Sequence, residues 1–89
     1  MSEWRLSVAT STERTLSRLP ERIAAAVVEF MVGPLVETPT VVGKPLQREL
    51  EGYWSARRGA YRVIYRLDED EGLVVVVRIE HRGDVFRSR

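Results

Sequence analysis

The chain contains no cysteine, and that absence removes a disulfide scaffold, a thiol nucleophile and every thiolate zinc site. Histidine is almost missing too. His81 stands alone, so there is no material for a histidine-rich metal centre, and no metal or cofactor is expected. No apolar run approaches the roughly 18 residues of a membrane-spanning helix. The chain opens with Glu3, Trp4 and Arg5, without a basic start followed by an apolar stretch, so a cytoplasmic location is the default expectation. Phosphate-loop, dinucleotide-fingerprint, hydrolase-elbow and H-E-x-x-H patterns are all lacking. Lysine is scarce as well: Lys44 is the one basic residue among 14 that is not arginine.

What remains is ordinary for a folded domain. The chain has 89 residues, 44% of them apolar and 30% charged, which suits a single domain over 1–89 and does not suit a disordered tail. The formal net charge is only +1, so the chain as a whole is not a strongly basic nucleic-acid binder. Its distribution is uneven. Residues 44–89 hold ten basic groups and eight acidic ones, and four of those acids cluster at Asp68–Glu71. Arginine in such excess offers planar forks for bidentate phosphate contacts.

Trp4, Leu6 and Val8 alternate with polar residues as a first strand. Thr10-Ser11-Thr12-Glu13 has the form of a capping box opening a short helix with Leu16 and Leu19 inward. Pro20 suits the first turn of a second helix, whose stripe is Ile23, Ala26, Val27, Phe30 and Met31. Gly33-Pro34 is expected to end it. Residues 34–50 read as a long ordered loop, held to the body by Leu35, Val41, Val42 and Leu46. Strands are expected over 52–57, 60–67 and 73–80, with tight turns at Arg58-Gly59 and at the acidic cluster.

Strict alternation then assigns faces. Tyr61, Val63, Tyr65 and Leu67, with Leu73, Val75, Val77 and Ile79, are expected beneath the helices. Arg5, Arg62, Ile64, Arg66, Val74, Val76, Arg78 and Glu80 are expected on an uncovered, arginine-studded face. The expected architecture is α+β: two N-terminal helices on one face of a curved, four-stranded, mostly antiparallel sheet in the order β-α-α-β-β-β.

The run from Leu50 through Gly52, Arg57-Arg58-Gly59 and Tyr61-Arg62-Val63-Ile64-Tyr65, and then His81-Arg82-Gly83-Asp84-Val85-Phe86-Arg87, resembles the RelE family of bacterial toxins. Gly43-Lys44-Pro45-Leu46 and the element order agree with that resemblance, which covers nearly the whole chain. It implies a microbial-RNase-like fold, cleavage of messenger RNA in the ribosomal A site, and a RelB-like antitoxin that holds the toxin in a hetero-oligomer. The partners implied are thus an antitoxin, the ribosome and mRNA, with no membrane.

The chemistry implied is attack by the substrate's own 2′-hydroxyl on the adjacent phosphate. That reaction needs a base, an acid and cations around the phosphorane, and no metal. The resemblance assigns Arg62, His81 and Arg82 to catalysis, and Arg57, Arg58, Lys44 and Phe86 to RNA contact. Arg57, Arg58, Arg62, His81 and Arg82 are expected to converge at one end of the sheet. Two positions depart from the family's pattern. Tyr53 and Ser55 stand where some relatives have lysines, and Phe86 stands where many have tyrosine. Phenylalanine can stack on a base but exchanges no proton, so proton transfer would fall to His81 or Glu51, or the nuclease would be weak. The alternatives are gyrase inhibition in the manner of ParE-type relatives, or a catalytically weak homologue held by its antitoxin.

Overall fold

A computed structural model describes residues 4–81 of the chain. The elements run β1 (Arg5–Val8), α1 (Thr10–Arg18), α2 (Glu21–Phe30), a π turn (Met31–Leu35) and α3 (Pro39–Val42). They continue with β2 (Lys44–Pro45), a 3-10 turn (Arg48–Leu50), β3 (Tyr53–Arg58), β4 (Tyr61–Asp68) and β5 (Leu73–His81). The sheet order is β1-β5-β4-β3-β2, parallel between β1 and β5 and antiparallel at the other joints. The α+β class and the helical layer are as expected. A third helix and a fifth strand are added, both from the segment read as a loop.

That segment is structured for local reasons. Pro34 has no N–H to bond to the Phe30 carbonyl and its ring crowds that carbonyl, so the chain widens into a π turn where a helix end was expected. The widened turn carries Leu35 fully into the core. Pro39 then occupies the first turn of α3, where its fixed φ is favourable. Val41 does not tack the segment down, being 76% exposed. The capping box also does not form. β1's partnership with β5 extends through an Ala9 N–H bond to the Val76 carbonyl, so the helix begins at once at Thr10. The Ala9 carbonyl accepts from the Thr12 and Glu13 amides, and Thr12 is buried with its hydroxyl unpartnered.

The core joins Val27, Phe30, Met31 and Leu35 of the helical layer to Ala56, Val63, Tyr65, Val74, Val76 and Ile79 of the sheet. One irregularity decides who belongs to it. Ile64 pairs with Arg78 but Tyr65 pairs with Val76, so Val77 is an extra residue in β5, a β-bulge. The bulge reverses the parity of everything before it. Val74 and Val76, expected on the open face, are wholly buried under the helices, while Leu73 and Val75 lie half-buried on the other side. Ile79 lies beyond the bulge and keeps its expected place.

Candidate functional site

The β3–β4 hairpin sets the geometry. Arg58 pairs with Tyr61 across Gly59-Ala60, and Gly59 takes a φ of +62°, the first-position requirement of a type II′ turn that glycine meets without a Cβ penalty. The resulting register puts Arg57 opposite Arg62, and Arg62 opposite Glu80 of β5. These three form one row across the face away from the helices. The next row on the same face is Lys44, Ser55, Ile64 and Arg78.

Glu80 joins the two rows. The Arg62 Nη2 donates to Glu80 Oε1 at 2.9 Å, and the Arg78 Nη1 donates to Oε2 at 3.0 Å. The carboxylate is 22% exposed, against 47% for the Arg62 side chain and 64% for that of Arg78. Arg57 and Arg62 are like charges directly opposite, an unfavourable cross-strand pair that a carboxylate next to Arg62 offsets. Beside the clasp lies an open groove of about 360 Å³. Ile64 and Val77 form its floor, and Leu46, Leu50 and Tyr53 its wall. The open face is therefore not bare: the segment from β2 to β3 shields Ile64 to 6% exposure. An apolar wall next to guanidinium donors can receive a planar base together with an anionic phosphate.

The helix-facing side of the same end carries a second row of Arg58, Tyr61 and His81. The His81 ring centroid is 4.7 Å from that of Tyr61, tilted by 56°. Arg58 borders a shallow depression with Glu29, Phe30 and Pro34. The expected convergence is thus divided. Arg57, Arg62 and Lys44 share one face, while Arg58 and His81 share the other, because β-strand side chains alternate. Arg82 and Phe86 lie outside the described residues. Glu51 is exposed just after the 3-10 turn and is not among the groove's lining residues.

Sequence reasoning missed Glu80 and Arg78 as site residues, and with them the wall of Leu46, Leu50 and Tyr53. The spacing of Arg78 and Glu80 on one strand was a usable signal. Their partnership with Arg62 needed the strand register.

A buried tether supports this face from behind. The Tyr65 hydroxyl donates to the Pro39 carbonyl, tying α3 and the start of β2, hence Lys44, to the central strand. Burial pushes the Tyr65 phenol up to about 12. Among the described residues, no helix is long and apolar enough to cross a membrane, and no three His, Asp or Glu side chains group as metal ligands.

The family model for the ParE toxin of type II toxin–antitoxin systems, parDE, matches residues 4–86. The chain belongs to this toxin family. It is 54% identical over 78 residues to Toxin RelG of Mycobacterium tuberculosis, covering 88% of this chain and 90% of that one. Toxin RelE of the same organism is 45% identical over 84 residues, covering 94% of this chain and 87% of the relative. The toxin–antitoxin complex RelBE2 of M. tuberculosis contains a chain with 50% identity and a TM-score of 0.86, covering 90% of this chain and 99% of that one. A YoeB/ParE toxin from Agrobacterium tumefaciens shares the fold at a TM-score of 0.72 and 20% identity, covering 86% and 96%. The RelE-like motifs thus mark a RelE/ParE-superfamily toxin of a type II toxin–antitoxin system.

Proposed function

We propose that this toxin is a metal-independent endoribonuclease that cuts messenger RNA in the ribosomal A site. The observation carrying the reading is the open-face groove, where Arg62 and Arg78 flank an apolar wall and Arg57 pairs with Arg62 across the strands. In the reaction a base takes the 2′-hydroxyl proton as the 2′-oxygen bonds to phosphorus, the P–O5′ bond breaks with the 5′-oxygen taking a proton from an acid, and a 2′,3′-cyclic phosphate results. Arg62, with Arg57 and Arg78 beside it, stabilises the charge that builds on the phosphorane. Leu50 and Tyr53 pack on a flanking base, while Lys44 and Arg58 meet the RNA backbone. His81 lies on the opposite face from Arg62, out of hydrogen-bond reach of a phosphate held in the groove, so its part is contact with RNA passing round that end of the sheet. Arg82 and Phe86 enter on the sequence resemblance alone, as a cation and a stacking group.

Purified toxin added to programmed ribosomes should produce cuts in A-site codons by primer extension, and the fragments should end in a 2′,3′-cyclic phosphate, the product of attack by the 2′-hydroxyl without a metal. Arg62→Ala should slow cutting about a hundredfold while circular dichroism stays the same. Intact mRNA together with loss of DNA supercoiling by gyrase would overturn the nuclease reading in favour of the ParE-type alternative. A RelB-like antitoxin is the proposed partner, supported by the RelBE2 complex among the structural relatives. Native purification should recover it bound to the toxin, and recovery of the toxin alone would count against the pairing.

A further inference from the structure

We propose that Glu80 is a positioning residue that holds Arg62 and Arg78 as a pre-aimed pair of guanidinium groups; this rests on the endonuclease reading above. Each oxygen of the carboxylate accepts from a different arginine, at 2.9 Å and 3.0 Å. Glu80 lines the same groove, but its carboxylate carries the same sign of charge as a phosphate, so it acts through the arginines that it holds. Arg62 and Arg78 come from adjacent strands and are each about half exposed or more. Without an anchor, such long side chains sample many rotamers, and Arg62 also faces the like charge of Arg57 across β3. Bridging removes both difficulties at once. Each guanidinium has five N–H donors and gives one to Glu80, leaving donors for a phosphate.

The bulge adds apolar floor beside the bridge, whose β5 members, Arg78 and Glu80, lie beyond it in regular alternation. Val77 and Arg78 both line the groove, so two consecutive residues serve the same face. In an unbulged strand, alternation would set consecutive residues on opposite faces. The extra residue therefore sets apolar floor beside the cation, with Glu80 two residues on to fix the cation's aim.

The test compares wild type, Glu80→Gln, Glu80→Asp and Glu80→Ala as purified full-length toxins on programmed ribosomes. A misplacement of about 1 Å of a transition-state contact costs about a hundredfold, so Glu80→Ala should lower kcat by about that factor with KM nearly unchanged. Glu80→Gln, which keeps the shape but not the charge, should lose about tenfold, and Glu80→Asp should retain more activity than Glu80→Gln. Independently of activity, the Arg62 and Arg78 guanidinium N–H signals in NMR should be resolved in wild type and averaged in Glu80→Ala. Wild-type cutting with an equally active Glu80→Gln overturns the positioning role. So does a Glu80→Gln variant that gains affinity for free RNA and cuts it without ribosomes, since Glu80 would then be an anionic stand-in for phosphate. Wild-type toxin that leaves ribosome-bound mRNA intact overturns the endonuclease reading, while the NMR comparison still reports on the bridge.

Discussion

The contact between Gly43 and Tyr65 permits a quantitative test of how β2 is held to the sheet. Gly43 has φ −119° and ψ 178°, extended backbone open to any residue, so alanine there carries no backbone strain. Its cost is steric. A Cβ at position 43 would lie 2.0 Å from the Tyr65 hydroxyl oxygen, 3.0 Å from Cζ and 3.1 Å from the Ser55 carbonyl. Tyr65 is 0% exposed and cannot swing into solvent. Displacing it strains the core and breaks its bond to the Pro39 carbonyl, so Gly43→Ala should destabilise by about 3 kcal/mol. Tyr65→Phe alone leaves that carbonyl unpaired and should cost about 1–2 kcal/mol.

In the Tyr65→Phe background the 2.0 Å clash is gone, and the remaining contacts ask for shifts of only a few tenths of an ångström. Gly43→Ala should then cost about 1 kcal/mol, for a coupling of about 2 kcal/mol between the sites. Urea unfolding followed by tryptophan fluorescence suits the cycle, because Trp54 stacks on Tyr65 with centroids 6.4 Å apart. Costs that add within about 0.5 kcal/mol would refute the reasoning.

Three other outcomes are expected. Tyr65's phenol is raised from 10.0 to about 12 by burial, so its contribution is fully present below pH 10 and is lost as pH climbs towards 12. Unfolding free energy should fall by up to about 2–3 kcal/mol over that window, and Tyr65→Phe should flatten the loss. Val76→Ala should cost about 2 kcal/mol and Val75→Ala less than about 1 kcal/mol by thermal melts, an order that strict alternation would reverse. Arg48 adopts a φ of +64°, so Arg48→Gly should stabilise the chain by up to about 1 kcal/mol in urea unfolding.

Much of this toxin was legible in its residues because the signals were local and periodic. The stripe of Val27, Phe30 and Met31 needed only a 3.6-residue repeat, and it is buried as that repeat demands. The β3–β4 hairpin was legible from a glycine able to take positive φ, but its turn is Gly59-Ala60, one residue beyond the expected Arg58-Gly59, and only that register sets Arg57 opposite Arg62. The RelE-like motifs needed no tertiary contact to indicate the family.

The tertiary structure decided the rest, because pairing across strands is non-local. Nothing in Val74-Val75-Val76-Val77 says which valine is surplus, since all four are chemically identical. The fit of β5 between β1 and β4 chooses Val77 and so moves Val74 and Val76 into the core. Beyond the bulge the β4–β5 register sets Glu80 opposite Arg62 and Arg78 opposite Ile64, and strand alternation sends His81 to the other side of the sheet from Arg62. Residue types alone set which cations the toxin has. Strand register set which of them face the groove together.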